Sequence, residues 1–236
     1  MDISSANLNQ STIAERNEKL YHIRFLYILL AIQLGFILLL TTIVLYQPSS
    51  LLGWFAGRWG WGLAFGLISL LLALLCYFLP VLKENPINWV LYSVFTLFFA
   101  LFMVWLVTFD RTRIVYFVLW ALFAVAVGLM LYFLMANFYI SSLAEILLIA
   151  IAVGAVLFAF LAFSNISTFI LGIALLVSMV AAFYISYQHR SMLRNSLWDL
   201  QKEDPVTGAV RIWLDGILGV FRVGDLFSKG FGRLTY

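Results

Sequence analysis

Six long apolar runs, separated by short polar breaks, dominate the pattern along the chain. The runs lie at about 25–46, 61–82, 88–109, 114–136, 143–163 and 168–187. Each is long enough for a helix to cross the hydrocarbon core of a bilayer, which takes roughly 20 residues. Helices are required because hydrocarbon offers no partner to open backbone groups, and the runs are too long and uniform for barrel strands. The pattern therefore predicts an all-α polytopic membrane helix bundle with sequential helices antiparallel.

Composition agrees with a chain that is surrounded by lipid. Hydrophobic residues make up 64% and charged residues 11%, and the mean hydropathy is +1.04. Soluble domains contain roughly 45–50% apolar and 25% charged residues, so a soluble fold could not hide this much apolar surface. We expect a polar segment at 1–24, a membrane bundle at 25–221 and a polar tail at 222–236. The chain has no clustered basic face of the kind that binds nucleic acid. Because of its apolar composition, the expected partner is the lipid bilayer.

Two local motifs predict how the first helices begin and pack. Thr12 and Glu15 form an S/T-x-x-E capping box, which predicts a short amphipathic helix within residues 1–24. Gly62 and Gly66 have the G-x-x-x-G spacing that lets membrane helices approach closely. That spacing is also common by chance, so both a packing contact and a coincidence remain open.

Basic residues predict the orientation of the bundle in the membrane. We call the side on which the chain begins side A and the opposite side side B. Side A carries Arg16, Lys19, Arg24, Lys83, Arg190, Arg194, Lys202 and Arg211, whereas side B carries Arg58, Arg111 and Arg113. By the positive-inside rule, side A is cytoplasmic, or faces the matrix in a mitochondrial inner membrane. The sequence does not distinguish endoplasmic reticulum or Golgi from mitochondrion.

A shorter apolar stretch at 209–221 contains Asp215. As a helix it is roughly 20 Å long, too short to span the membrane alone. Arg211, Asp215 and Arg222 share one helical face, because offsets of four and seven return to nearly the same angle. One interpretation, which this stretch by itself favours, is an amphipathic helix on the membrane surface. The other is a re-entrant or tilted helix that presents Asp215 to a polar site inside the bundle.

Four stretches, in order along the chain, resemble motifs of the Bax inhibitor family, the transmembrane Bax-inhibitor-motif proteins. They are RFLYILLAIQLGF with Tyr27, Gln33 and Leu34, ENPINWVLYSVFTLFFALF with Asn85, Pro86, Asn88, Phe95, Thr96 and Leu97, FYISYQHR at 183–190, and IWLDGILGVF with Asp215 and Phe221. The resemblance implies six spans and a short seventh C-terminal hydrophobic or re-entrant helix. It also implies a slow calcium leak gated by a proton shared between two aspartates.

The chain departs from the family at one of those two aspartates. The acid that ends the family's sixth span is replaced here by Gln188. Two close carboxyl groups raise one another's pKa, and this repulsion is absent when one of them is an amide. Asp215 could instead bond to Gln188 or pair with His189, Arg190 or Arg211. We therefore expect a proton-gated leak of the family type to be weak or lost.

Glu145 is a second acidic candidate, in SSLAEILLIAI near the start of the fifth run. Acids inside membrane spans are functional candidates by default. One interpretation places Glu145 in the first helical turn, favoured by the helix dipole and close to headgroups. The other has it facing Asp215 or His189, so that it rebuilds a carboxyl pair from another helix. The candidates for an ion pathway are thus Glu145, Gln188, His189, Arg190, Arg211 and Asp215.

Two functions remain open, and neither is enzymatic. The chain has no H-E-x-x-H and no Cys/His cluster, so we expect no metal centre and no cofactor. The first function is a calcium leak or stress regulator of the Bax inhibitor type, with an incomplete gating pair. The second is a non-conducting structural or accessory subunit that binds other membrane-protein subunits, for example in the mitochondrial inner membrane. The second is favoured by the missing aspartate at Gln188, by an aromatic content of 17%, and by the absence of a glutamate that the family often has after Phe-Thr-Leu, where this chain has Phe98, Phe99 and Ala100.

Overall fold

The computed structural model describes residues 3–46, 53, 58–78, 86–110, 113–135, 142–163, 167–194, 206, 208–210 and 212–214. At 3–19, 77–78, 142–143, 163 and 188–194 it describes the backbone alone. The described part is helical throughout apart from short connections, so the all-α prediction is confirmed.

Six long helices make up this part of the chain. They are α1 (Ile3–Tyr46), α2 (Trp59–Phe78), α3 (Ile87–Phe109), α4 (Ile114–Met135), α5 (Ser142–Phe163) and α6 (Thr168–Arg194). Each contains a segment long and apolar enough to cross a membrane, and these segments agree with the six predicted spans. The predicted end of the second span, at 79–82, lies outside the described residues. The chain is thus an integral membrane protein.

Helix α1 is longer than the sequence predicted. Its 44 residues correspond to roughly 66 Å, and the apolar part is confined to Leu20–Tyr46. Residues 12–15 lie inside α1 rather than at a helix start, so the capping box does not begin a separate short helix. The physical reason is that neither proline nor glycine occurs between residues 3 and 34, and nothing else interrupts the helix.

Helix α4 is at the centre of the bundle. It packs against α1, α5 and α6, while α1 also packs against α3, and α2 packs against α3. The contact between α1 and α4 includes a stacked ring pair, with the ring centroids of Tyr27 and Phe133 5.5 Å apart. On α1 the buried side chains Tyr27, Leu30, Leu34 and Ile37 recur every three or four residues. This spacing places the four side chains on one face of the helix. Gln33, three residues after Leu30, lies beside that face and inside the bundle.

Helices α2 and α3 approach each other at the predicted glycine pair. A methyl group added to Gly62 would overlap the ring of Trp105, and one added to Gly66 would lie 2.9 Å from Phe102. Indole and phenyl rings fill the spaces that glycine leaves open. The G-x-x-x-G spacing is therefore a real packing contact, as small residues in membrane helices often provide.

A tight connection at side B joins α3 to α4. The backbone N–H of Asp110 donates to the carbonyl oxygen of Leu106 at 2.9 Å and so ends α3. The Oδ2 atom of the same residue accepts from the backbone N–H of Val115, also at 2.9 Å, at the start of α4. Arg113 has a φ of 59°, in the left-handed region that a reversal of the chain demands. Asp110 thus terminates one helix and caps the next.

Candidate intramembrane carboxyl site

Glu145 is enclosed by protein between α5 and α6. Its side chain is 1% exposed, and its Oε1 atom accepts a hydrogen bond of 2.5 Å from the Oγ–H of Ser186. The residue lies in the first turn of α5, as one of the two interpretations predicted. The closeness to headgroups that the same interpretation gives it stays a prediction. Among the described residues, Glu145 is the one acidic side chain that is buried.

The α5–α6 seam, by which we mean the buried faces of these two helices, explains why the two side chains meet. On α6 four of the buried positions are spaced four residues apart and carry small side chains, namely Ala174, Ser178, Ala182 and Ser186; Leu171 and Ile185 are buried too. On α5 the buried positions have the same spacing, namely Glu145, Ile149, Val153 and Leu157. Because the helices are antiparallel neighbours, the first member of the α5 series faces the last member of the α6 series. Small residues let the helices approach closely.

The position of Glu145 has two electrostatic consequences. The N-terminus of α5 carries a partial positive charge from its unpaired N–H groups, which favours a negative side chain in the first turn. Burial has the opposite effect, since taking a carboxylate out of water costs several kcal/mol unless hydrogen bonds and charges compensate it. The hydroxyl of Ser186 supplies one such hydrogen bond. The seam therefore holds a group that packing alone would not select.

A second buried polar contact lies near the middle of the membrane. Gln33 is 1% exposed, and its Oε1 atom accepts a hydrogen bond of 2.9 Å from the indole Nε1–H of Trp213. The Trp213 ring also contacts Phe99 on α3, with ring centroids 4.9 Å apart. Gln33 and Phe99 are both near the midpoints of their spans. Trp213 thus reaches the interior of the bundle from the C-terminal part of the chain.

The neighbours of Trp213 are buried as well. The described residues Val206, Gly208, Ala209, Val210, Ile212 and Leu214 are helical and have little exposed surface. A methyl group added to Gly208 would lie 3.1 Å from Leu26, six residues inside the first span. Between the levels of Leu26 and Gln33, helix α1 rises by roughly 10 Å. The described residues Gly208 and Trp213 therefore lie at increasing depth in the bundle, counted from side A, and this favours the interior interpretation over the surface one.

For most of the candidates named from the sequence, the side chains lie outside the part of the chain that the structure describes. Asp215 and Arg211 lie outside the described residues, and so does any contact between Asp215 and position 188. Gln188, His189 and Arg190 belong to the last part of α6, where the backbone alone is described. Within the described ranges, no three His, Cys, Asp or Glu side chains come close enough to hold a metal ion.

Ser186 is the residue that the sequence analysis missed. Its side chain is uncharged and belongs to no catalytic motif, so it does not stand out in an apolar run. The signal that could have found it is the four-residue period of Ala174, Ser178, Ala182 and Ser186. A matching period on α5 begins at Glu145, and antiparallel packing brings these two ends together.

The fold and this site define a polytopic α-helical membrane protein with an acidic side chain inside the bundle. No protein-family model, no curated protein and no solved structure matches the chain.

Proposed function

We propose that the protein is a cation leak of the Bax inhibitor type in which Glu145 supplies the intramembrane carboxyl group. The observation that carries the proposal is the buried contact between Glu145 and Ser186. Acids buried within membrane bundles commonly mark ion and proton paths, because the free energy needed to bury an ionisable group is not recovered from packing contacts. Ser186 lies in the FYISYQHR stretch, two residues before Gln188. A carboxyl group is thus present beside the motif although the motif's own acid is absent.

The contacts among the resembling stretches support the same proposal. Gln33, from the first stretch, accepts a hydrogen bond from Trp213, in the last. Phe99, from the third-span stretch, packs against the same indole ring. Residues that are far apart in the chain, each from a stretch that carries the resemblance, therefore lie within one bundle interior. Such convergence is expected if the stretches build a common site.

In this proposal, residues 209–221 form a short seventh helix that re-enters the bundle from side A. The burial of Ala209, Val210, Ile212 and Leu214 supports it, as does the depth that Trp213 reaches. A helix of this length need not span, because its backbone is satisfied internally and protein surrounds it. It would close the side-A mouth of the bundle, and Asp215 remains a predicted second acid of the pathway.

The chemistry proposed for Glu145 is cation exchange at a single carboxyl group. An ionised carboxylate provides the hard oxygen ligands that calcium prefers. The Ser186 hydroxyl oxygen can add a ligand when its proton turns away from the carboxylate. Protonation of the carboxyl group removes the negative charge and releases the cation. Calcium is the first candidate ion, because the resemblance implies it.

Calcium flux into proteoliposomes tests the proposal. The purified chain is reconstituted with a calcium-sensitive dye inside the vesicles, and wild type is compared with Glu145→Gln. The amide keeps an acceptor for Ser186 and nearly the same shape, so the fold is retained. We expect the initial rate to fall at least about tenfold, which corresponds to roughly 1.4 kcal/mol of lost stabilisation of the ion in transit.

Asp110→Asn is the matched control, because it makes the same chemical change at the side-B connection, away from the seam. Its flux should equal that of wild type. The proposal fails if the wild-type rate does not exceed that of protein-free vesicles. It also fails if Glu145→Gln and Asp110→Asn give the same rate.

A second candidate, an accessory subunit of a larger membrane complex, is favoured by the outer surfaces of three helices. Buried residues make up 22% of the spans of α2 and α5 and 28% of that of α6, against 50% in α1. These helices present most of their surface outward, to lipid or to other subunits. Extraction in mild detergent followed by a native gel separates the candidates. Stoichiometric co-migration with a large complex supports the subunit, and migration as a small species supports the leak.

A further inference from the structure

An apolar cavity lies between α2 and α3 and extends from the level of Leu63 and Gly66 toward side A. Its volume is about 250 Å³. Near side B, Trp105 and Phe102 fill the space over Gly62 and Gly66. Further along α2, the small side chains of Ser69 and Ala73 stand where a larger residue would close the gap. Trp213 and Leu214 form the inner wall of the cavity.

The described wall of this cavity offers no unused polar group to a ligand. Two of the lining side chains carry polar atoms, those of Ser69 and Trp213. The Ser69 hydroxyl donates to the carbonyl oxygen of Gly66 at 2.8 Å, and the Trp213 indole donates to Gln33. The rest of the described wall consists of leucine, phenylalanine, alanine and glycine. The cavity therefore suits a hydrocarbon group.

The shape of the cavity suits a chain that runs parallel to the helices. On α2 the lining positions extend from Leu63 to Ala73, which is roughly 15 Å along the helix axis. On α3 they extend from Phe95 to Phe102. Both stretches lie within the membrane spans. An acyl chain of a bilayer lipid has the same direction and the same depth.

The cavity is continuous with the lipid-facing surface of the bundle. Leu63 and Leu67, on its rim, are 46% and 66% exposed, at positions inside the α2 span. The medium outside this rim is therefore bilayer hydrocarbon. Apolar cavities of roughly 150 Å³ exclude water and take up benzene-sized molecules, so a larger one that opens to lipid admits a hydrocarbon segment.

We propose that this cavity holds one acyl chain of a bilayer phospholipid, which enters sideways between α2 and α3. An unfilled cavity leaves its wall without partner atoms on one side, and an inserted chain restores these dispersion contacts. When the acyl chain is bound in the cavity, it packs between α2 and the side chains of Trp213 and Leu214. This inference does not depend on the function proposed for Glu145.

Photolabelling of the purified chain in detergent tests the inference. The probe is a phosphatidylcholine that carries a diazirine at the middle of one acyl chain, and labelled residues are mapped by peptide mass spectrometry. We expect saturable labelling at the cavity wall, on Phe95, Phe99 or Trp213, that excess unlabelled phosphatidylcholine competes away. Labelling of outward-facing Ile151 and Phe158 on α5 should rise linearly with probe concentration. Equal, unsaturated labelling of both regions overturns the inference.

Filling the cavity provides the second arm of the experiment. Ala73→Phe places a ring inside the cavity, and labelling of its wall should fall about tenfold or more. Ala64→Phe makes the same change on the same helix at a residue that does not line the cavity, and labelling should persist. If Ala73→Phe does not fold, saturation and competition on wild type decide the question. Labelling that survives Ala73→Phe, or that only free oleic acid competes away, overturns the inference.

Discussion

The α5–α6 seam and the α2–α3 seam, by which we mean the contact of α2 with α3 at Gly62 and Gly66, each have small residues on one of two antiparallel helices but enclose different chemistry. In the α2–α3 seam, Gly62 and Gly66 admit aromatic rings, and Ser69 bonds to its own helix. In the α5–α6 seam, a carboxyl group on one helix bonds to a hydroxyl on the other. The α2–α3 seam is explained by packing alone. The α5–α6 seam holds an acid that packing does not require, and the proposed function is the reason we give for its presence.

Gly62→Ala should have the largest effect on stability, because the α2–α3 seam has no room for a further methyl group at that position. The added carbon would overlap Trp105, so one helix must move or the indole ring must leave its site. Overpacking of this kind costs about 3 kcal/mol, and more when backbone must shift. The measurement is the thermal unfolding midpoint of the purified protein in detergent.

Gly60→Ala is the control for this prediction, two residues earlier on the same helix. A methyl group there meets no atom of the described residues within 4 Å. Its midpoint should match or slightly exceed that of wild type, since alanine is the better helix former. If both variants unfold at the same temperature, the glycine contact is not what holds α2 to α3.

Ser186→Ala should have the next largest effect, because it removes a donor from a buried acid. Removing one partner of a buried hydrogen bond costs about 1–3 kcal/mol, and more when the remaining group is charged. Ser178→Ala is the matched control on the same stripe of α6. The Ser178 hydroxyl donates to the carbonyl oxygen of Ala174 within its own helix. Its removal therefore takes no hydrogen bond away from an acidic side chain. Equal midpoints for the two variants would show that the Glu145 contact is not special.

Trp213→Phe should have the smallest effect of the three, since it removes a neutral hydrogen bond and keeps an aromatic ring. A hydrogen bond of this kind contributes about 1 kcal/mol. Trp120→Phe is the comparison, because the Trp120 indole N–H is buried and has no hydrogen-bond partner among the described residues. We expect a lower unfolding midpoint for the first variant and an unchanged or higher one for the second. The reverse order would contradict the role given to the contact with Gln33.

The six spans could be predicted from the sequence because each apolar run alone satisfies the length that a bilayer requires. The beginning of α1 could not be predicted in the same way. A capping box indicates where a helix starts only if the residues before it are not helical, and in α1 they are. The G-x-x-x-G spacing became informative once Trp105 was found over Gly62. The sequence of one helix thus predicts that it spans the membrane, whereas its contacts depend on the helix that packs against it.

The candidate site could be predicted only in part, for the same reason. The first-turn position of Glu145 follows from its own run, whereas its burial depends on Ser186, 41 residues later. The charges around Asp215 favoured a surface helix, but Trp213 binds Gln33 across 180 residues of sequence. Long-range contacts of this kind leave no trace in local hydropathy. The parts assigned to Asp215, Gln188, His189, Arg190 and Arg211 remain predictions.

Reaction with dicyclohexylcarbodiimide, an apolar reagent for carboxyl groups in apolar surroundings, tests most directly whether Glu145 is an ion site. Modification is measured residue by residue by mass spectrometry, in the presence and absence of calcium, with Asp110 as an internal reference. We predict that Glu145 is modified and that calcium slows its modification while that of Asp110 is unchanged. A Glu145 that does not react, or that reacts at the same rate with and without calcium, would contradict the account.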